Sequence, residues 1–152
     1  MNLDRDLLVV LHDVARMQRT RFDQWARRYG MTRAQGVILV RLSRQPGISQ
    51  NEMAALCEVE PITVGRLVDR LEARGMIERR PDPSDRRVRR LHLLAAAAPV
   101  LDAIEAYKNE LTGLLTGELD PKAVETMLEV LLHMKNKLIL ETAAEKAAAA
   151  GE

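Results

Sequence analysis

Cysteine and aromatic residues are scarce in this 152-residue sequence. Its single cysteine, Cys57, excludes an intrachain disulfide framework and any zinc site built from several cysteines. Aromatic residues account for only 3% of the chain, so the core must consist mainly of aliphatic side chains and methionine. The three histidines are too widely spaced to predict a metal site: His12, His92 and His133.

The sequence also lacks long hydrophobic runs and catalytic signatures. Its longest uncharged stretch, residues 91–101, is too short to span a bilayer, and residues 2–6 do not have the pattern of a signal peptide. No glycine-rich phosphate loop, Ser/His/Asp spacing or pair of carboxylates stands out. These absences predict a cytoplasmic protein that has no membrane partner, requires no cofactor and is not an enzyme.

Positive charge is concentrated in the middle of the chain, although the net charge is only +1. Residues 32–94 carry twelve arginines against eight acidic residues, whereas residues 95–152 carry five lysines against ten acidic residues. Every basic residue before Lys108 is an arginine. An arginine-rich middle indicates a surface that faces an anion. Compositional drift in an arginine-rich proteome is the alternative.

Helix signals divide the chain. Apolar residues at helical spacing from Leu3 onward predict a long first helix that Gly30 ends. The apolar stripe of this helix is expected to pack against a partner outside the compact domain formed by the middle of the chain. Thr32 and Gln35 form a capping box that begins a second helix. After the hairpin described below, two further amphipathic helices follow, the second beginning at the Asp120-Pro121 pair.

Residues 49–74 have the pattern of a helix-turn-helix. Ser49 and Glu52 form a capping box for a short helix, and Pro61 begins another helix that Gly75 ends. The second of these helices has one apolar stripe, and its outward side carries polar and charged residues. That stripe consists of Val64, Leu67, Val68 and Leu71, and the outward residues are Thr63, Arg66, Asp69 and Arg70.

Residues 76–80 and 88–93 flank a segment rich in turn-forming residues, which predicts a β-hairpin, or wing. The predicted fold is therefore mainly α with a small β wing (α+β): a winged helix-turn-helix head with N- and C-terminal dimerisation helices. The predicted domains are an N-terminal dimerisation helix (1–31), a DNA-binding domain (32–94, with the helix-turn-helix at 49–74 and the wing at 76–93), C-terminal dimerisation helices (95–147) and a frayed tail (148–152).

This pattern predicts binding to double-stranded DNA, because a helix fits the major groove and can contact base edges there. The candidate residues on the recognition helix are Pro61, Ile62, Thr63, Arg66 and Arg70. At the helix end and on the wing, the candidates are Arg74, Arg86, Arg87 and Arg89. A solvated helix face is the alternative for the helix arginines, and an ion pair with Glu72 or Glu78 is the alternative for Arg74.

Three segments together resemble the MarR family of bacterial transcriptional regulators, most closely its SlyA-like branch: Glu60-Pro61-Ile62-Thr63, Arg66-Leu67-Val68-Asp69-Arg70-Leu71-Glu72 with Gly75, and Pro81-Asp82-Pro83-Ser84-Asp85-Arg86-Arg87. The resemblance is strong over residues 32–93. It implies a homodimer with intertwined first and last helices, a pseudo-palindromic DNA site, a DNA contact by Arg87, and a wing supported by Asp85. It also implies repression that a small aromatic or anionic effector relieves.

The resemblance places the effector pocket near Trp25, Tyr29 and Gly36, with core or interface packing as the alternative for the two aromatic residues. The sequence departs from the family at Glu58, where a small residue or glycine is usual, and at Gly65, which replaces a hydroxyl residue. Leu94 also replaces a usual threonine. Cys57 is expected to pack in the core and not to act as an exposed redox sensor.

The functional expectation is thus a DNA-binding transcriptional regulator, a repressor that acts as a homodimer. The alternative is a winged-helix protein–protein adaptor or antirepressor that has lost DNA binding. No residue cluster supports a small enzyme.

Overall fold

A computed structural model of the chain describes residues 5–150. Within this range it contains six helices and one antiparallel two-stranded sheet, which confirms the mainly α fold with a small wing. The elements are α1 (Leu7–Arg27), α2 (Arg33–Arg44), α3 (Gln50–Cys57), α4 (Pro61–Ala73), β1 (Ile77–Pro81), β2 (Arg89–Leu93), α5 (Ala98–Thr116) and α6 (Pro121–Ala150). A short 3-10 turn, Ala95–Ala97, precedes α5. The residues group into two compact units, Met1–Ala106 and Tyr107–Glu152.

The helices begin where their capping signals predicted. Both capping boxes are formed: the Thr32 side chain with Gln35, and the Ser49 side chain with Glu52. Pro61 occupies the first position of α4, where a missing N–H costs nothing. Asp6 caps α1 by accepting from the backbone N–H groups of residues 8 and 9. Leu3, which was expected to begin the first apolar stripe, lies outside the described residues.

The core of the first unit is aliphatic, as the composition required. Val64, Val68 and Leu71 on α4 are completely buried, and Leu67 is partly buried against the same cluster. They pack with buried residues of the neighbouring elements, among them Ile38, Leu39, Leu42, Met53 and Leu91. The inner face of α4 is therefore fixed by packing, and its opposite face is left to solvent.

The hairpin is joined to the turn that precedes α3. Its register pairs Ile77 with Leu93 and Pro81 with Arg89. Beyond the hairpin, the backbone N–H of Leu91 donates to the carbonyl of Ile48 at 2.9 Å, and the N–H of Gly47 donates to the carbonyl of Leu91 at 2.9 Å. These bonds place the first residues of α3 beside the base of the wing.

The second unit consists of the end of α5 and the 30-residue helix α6, in which no residue is buried. Leu128, Leu138 and Leu140 on α6 are each more than half exposed. The tail predicted to fray comprises residues 148–152, and α6 continues through Ala150. Alanine has the highest helix propensity of all residues, and the fraying itself stays a prediction. Residues 151 and 152 lie outside the described range.

No helix within residues 5–150 is long and apolar enough to cross a membrane.

Glu58 ends α3 in a left-handed conformation, with φ +53° and ψ +41°. It is the one non-glycine residue with a positive φ among residues 5–150. A side chain with a Cβ is strained in this region by about 1–2 kcal/mol, whereas glycine is not. The geometry therefore accounts for the expectation that a small residue or glycine occupies this position.

We expect Glu58→Gly to raise the free energy of unfolding by up to about 1 kcal/mol. The relief of about 1–2 kcal/mol of strain exceeds the about 0.4–1 kcal/mol of additional unfolded-state entropy that glycine brings. Urea titration would measure this difference. The control Ala55→Gly, at an exposed helical position of α3, should lower the stability by about 1 kcal/mol. A loss of stability in both variants would contradict the assignment of strain to Glu58.

Candidate nucleic-acid interface

The exposed side of α4 collects all the recognition-helix residues that the sequence predicted. Pro61, Ile62, Thr63, Arg66 and Arg70 are all exposed, Ile62 by 66%. They lie opposite the buried stripe, because α4 alternates its apolar and polar residues at helical spacing. The structure thus presents them together on one surface.

Four arginines around this surface have no partner within residues 5–150. Arg66 and Arg70 on α4, and Arg86 and Arg89 on the wing, form no side-chain hydrogen bond or ion pair there, and all four are exposed. Their guanidinium groups are fully available to an anion. Each offers a planar set of donors that matches a phosphate or a guanine edge.

Arg87 at the tip of the wing is held by Asp85. The Asp85 carboxylate accepts hydrogen bonds from the Arg87 backbone N–H at 3.0 Å and from its side-chain Nε at 3.1 Å. The Arg87 side chain nevertheless remains 91% exposed. The hydrogen bond from the Arg87 side chain, followed by that from its backbone, lowers the pKa of Asp85. Asp85, which was expected to support the wing, thus orients the exposed guanidinium of Arg87.

Asp82 organises the wing turn, a role that was not predicted for it from the sequence. Its Oδ1 accepts from the Ser84 hydroxyl at 2.6 Å and from the backbone N–H groups of Ser84 at 2.8 Å and Asp85 at 3.0 Å. Its Oδ2 accepts from Arg90 Nε at 2.6 Å. The Ser84 side chain and then Arg90 lower the pKa of Asp82 well below its ordinary range. The Asp-Pro-Ser-Asp sequence is a local turn signal that could have identified this residue.

Arg90 connects that turn to α3 and to the turn before it. Besides Asp82, its guanidinium donates to the Gly47 carbonyl at 3.0 Å and lies 3.6 Å from the Glu52 carboxylate. The pKa of Glu52 is lowered, first by its bond from the Ser49 backbone N–H, and Arg90 contributes a smaller effect. Arg90 therefore faces the protein.

Arg79 on β1 connects the wing to α4, as Arg90 connects it to α3. Its guanidinium is only 19% exposed. It bonds to Asp69 at 2.6 Å and Glu72 at 2.5 Å, and it donates to the Gly65 carbonyl at 3.2 Å. This set of contacts fixes the wing strand against the recognition helix. No local pattern in the sequence indicated it, because its partners are distant along the chain.

Arg74 requires a correction. It was predicted to contact DNA or to pair with Glu72 or Glu78. Instead its guanidinium donates to the carbonyls of Tyr29 at 2.9 Å and Gly30 at 3.1 Å. Backbone carbonyls at the end of a helix need donors, and Arg74 supplies them to the turn after α1. The two glutamates pair with Arg79 and Arg80. The expected pairing of Arg74 with Glu72 or Glu78 was therefore wrong, and because its donors are used within the chain we propose that Arg74 does not contact DNA.

The residues expected at an effector pocket form a packed aromatic cluster. The Trp25 ring lies 5.3 Å from the Phe22 ring and 4.6 Å from the Tyr29 ring. Gly36 is buried, and a Cβ at this position would lie 3.2 Å from the Phe22 ring. Phe22 thus fills the space directly beside Gly36, and the effector pocket stays a prediction.

Cys57 packs against the core, as expected. It is partly buried, and its Sγ lies 3.9 Å from Met53 Sδ. Burial raises the pKa of its thiol. A thiol in this environment is protonated near neutral pH, unlike a redox-sensing cysteine.

The MarR family model matches residues 31–88, which include α2, α3, α4 and the start of the wing. Over these residues the chain is similar to the MarR family. An HTH-type transcriptional regulator from Bacillus subtilis, YybA, is 28% identical over 109 residues, which cover 72% of each chain. MarR-family proteins are transcriptional regulators and not enzymes, in agreement with the absence of catalytic signatures from the sequence.

Solved structures of similar fold include MarR and SlyA. A crystal structure of MarR has a TM-score of 0.80 and 26% identity, covering 91% of this chain and 95% of that one. A SlyA structure has a TM-score of 0.77 and 25% identity, covering 88% and 94%. A Staphylococcus aureus MepR–DNA complex, at 24% identity and a TM-score of 0.73, shares the fold and covers 85% and 95%.

The Asp82 contacts predict an acid-sensitive wing. A carboxyl whose pKa is lowered by folding stabilises the folded form above its ordinary pKa of about 3.9 and loses this contribution as the pH falls below it. We expect the Ser84 and Asp85 amides to be protected from hydrogen exchange at neutral pH and to lose protection below about pH 4. NMR-detected exchange, corrected for intrinsic rates, measures this loss.

The matched variant is Asp82→Asn, which keeps an acceptor oxygen but cannot ionise. Its two wing amides should exchange faster than those of the wild type at neutral pH and should show no acid transition. Equal protection in the two proteins at neutral pH would refute the role of the Asp82 charge.

Proposed function

We propose that this MarR-family regulator is a repressor that binds a pseudo-palindromic operator as a homodimer. The observation that carries the proposal is the set of four unpartnered arginines, Arg66, Arg70, Arg86 and Arg89, on the exposed side of α4 and on the wing. The MepR structure solved with DNA supports it, because that protein has the same fold. Repression would follow from occupying a promoter and excluding polymerase. A cytoplasmic location is part of the same proposal.

On this proposal, the start of α4 enters the major groove. Ile62 contacts a thymine methyl group, and Arg66 donates two hydrogen bonds to a guanine, with Pro61, Thr63 and Arg70 alongside. The wing arginines Arg86, Arg87 and Arg89 contact the backbone or a narrow minor groove. Phosphate contacts would supply most of the affinity, and the few base contacts would supply the sequence preference.

The exposed apolar helices support the homodimer. No residue of α6 is buried, and its apolar residues Met127, Leu128 and Leu138 are each at least 46% exposed. The α1 helix also exposes Leu7, Leu8, Val10, Val14 and Met17. Apolar faces of this extent indicate a protein partner. We propose residues 1–31 and 95–147 as the dimerisation segments and residues 32–94 as the DNA-binding domain.

We further propose that a small aromatic or anionic effector releases the protein from DNA. Two recognition helices must lie about 34 Å apart to enter successive major grooves. An effector that favours another spacing would weaken binding by about 5- to 150-fold. Trp25 and Tyr29, whose rings lie 4.6 Å apart at an interplanar angle of 38°, offer aromatic contacts for such a molecule. Footprints made with and without aromatic acids would test this part of the proposal.

DNA binding is tested by footprinting upstream of the protein's own gene. If the dimer makes about 6–10 phosphate contacts, affinity should fall by about 10³- to 10⁵-fold between about 50 and 200 mM salt. Arg87→Ala should weaken binding to every sequence and reduce the salt slope by about 2, because the dimer loses two copies of the contact. Arg66→Ala should also relax discrimination at one base pair per half-site, by about 1–3 kcal/mol.

A matched control is Arg74→Ala, because Arg74 donates to carbonyls of its own chain. Its salt slope should equal that of the wild type. An adaptor or antirepressor without DNA binding would show no retention on heparin or duplex DNA at low salt. Normal operator binding by both Arg66→Ala and Arg87→Ala would refute the proposed surface.

The homodimer is tested on α6. Leu128→Glu and Leu138→Glu should each dissociate the protein, because burying a leucine contributes about 1.5–3 kcal/mol and two copies of each residue are affected in a dimer. Light scattering measures the mass. Thr126→Glu places the same charge on the polar side of α6 and should leave the dimer intact. A monomeric wild type would refute this part of the proposal.

A further inference from the structure

Gln50, the first residue of α3, lies where three elements meet. The bridge between Ser49 and Arg90 holds the start of α3 against β2. On the other side, Arg79 reaches from β1 and donates through Nε to Gln50 Oε1 at 3.1 Å. The Gln50 side chain is thus held between the wing and α4, next to the surface proposed to bind DNA.

The contact with Arg79 determines which way the Gln50 amide points. An arginine side chain has only donors, so the atom that it contacts must be the amide oxygen. The NH₂ group of Gln50 is therefore on the other side of the amide. It has no acceptor within residues 5–150, where Arg79 is the one hydrogen-bond partner of this side chain.

Gly65 on α4 provides the space for this amide. A Cβ built at Gly65 would lie 3.2 Å from Gln50 Nε2, which is tighter than ordinary van der Waals contact. Arg79 also donates to the Gly65 carbonyl at 3.2 Å, so the arginine, the glutamine and the glycine form one packed unit. The glycine that replaces a hydroxyl residue at this position thus has a structural counterpart in Gln50.

We propose that Gln50 is a further DNA-contacting residue whose NH₂ group donates to a backbone phosphate, with Arg79 as its positioning residue. This inference rests on the proposed DNA binding. A phosphate is favoured over a base because Gln50 lines a cavity of about 140 Å³ together with Ser49, Asn51, Arg87, Val88 and Arg89. Two of these residues are wing arginines, so the site collects donors for an anion.

The test compares Gln50→Ala and Gln50→Glu in the full-length protein, using a short mixed-sequence duplex and the footprinted duplex as probes. Glutamate has the size of glutamine and can still accept from Arg79, but it places a negative oxygen where the NH₂ group was. We expect Gln50→Ala to weaken binding on the order of 10-fold on both duplexes, and Gln50→Glu to weaken it more. Because glutamine is neutral, the salt slope of Gln50→Ala should equal that of the wild type.

Thermal unfolding separates contact from structure. A carboxylate is favourable in the first turn of a helix, so Gln50→Glu should unfold at or above the wild-type temperature while its DNA affinity falls. The control Gln45→Glu makes the same charge change at an exposed residue that ends α2. It should weaken binding much less than Gln50→Glu does.

Three results would overturn the inference. Gln50→Glu could bind the mixed-sequence duplex as well as Gln45→Glu does. Gln50→Ala could weaken binding only when one position of the footprinted duplex carries a particular base pair, which would identify a base contact. Wild-type protein that binds neither duplex would refute the proposed function itself, a result distinct from the other two.

Gly65→Ala tests the space beside the amide. Alanine is the better helix former, so the variant should unfold at a higher temperature than the wild type. Its Cβ would push the Gln50 amide away, so affinity for both duplexes should fall several-fold. A more stable variant with unchanged affinity would show that Gln50 does not need the space at Gly65 and would overturn this part of the inference.

Discussion

The placement of the wing depends on two arginines that are turned toward the protein. Arg79 ties β1 to α4 through Asp69, Glu72 and the Gly65 carbonyl, and Arg90 ties β2 to Asp82 and the Gly47 carbonyl. A two-stranded hairpin alone is only marginally stable in water, so its orientation must come from such outside contacts. Charged hydrogen bonds of this kind are strong and directional. Together with the backbone hydrogen bonds between Leu91, Ile48 and Gly47, these two arginines therefore hold the exposed wing arginines in a constant arrangement.

Arginine content alone would overstate the surface available to an anion. Residues 32–94 contain twelve arginines, yet Arg74, Arg79 and Arg90 all donate to groups of their own chain. Arg87 shares features of the internally bonded arginines and of the exposed ones, because it is paired with Asp85 and is still almost fully exposed. An excess of charge therefore indicates a binding surface only after the internal partners are known. Within residues 5–150, four of the arginines without such a partner lie on the exposed side of α4 and on the wing: Arg66, Arg70, Arg86 and Arg89.

What could be predicted from the sequence was local in origin. Capping boxes at Thr32 and Ser49 involve residues three apart, and the buried stripe of α4 follows from helical spacing. The contacts that the sequence did not reveal join distant residues: Arg79 to Gln50 is 29 residues apart, Arg90 to Gly47 is 43, and Arg74 to Gly30 is 44. No periodicity specifies such pairs. The close contact of Gly36 with the Phe22 ring has the same origin, since that ring comes from another helix.

The exposed apolar surface of α6 also bears on the folding of the protein. A helix that buries none of its residues gains little from packing, so in the proposed homodimer its stability comes largely from association. In a dimer joined through this helix, folding and assembly would be one equilibrium, governed by the number of molecules in the cell. A newly made regulator at low copy number would then be held inactive by dilution, and its appearance on DNA would follow a threshold in its own abundance.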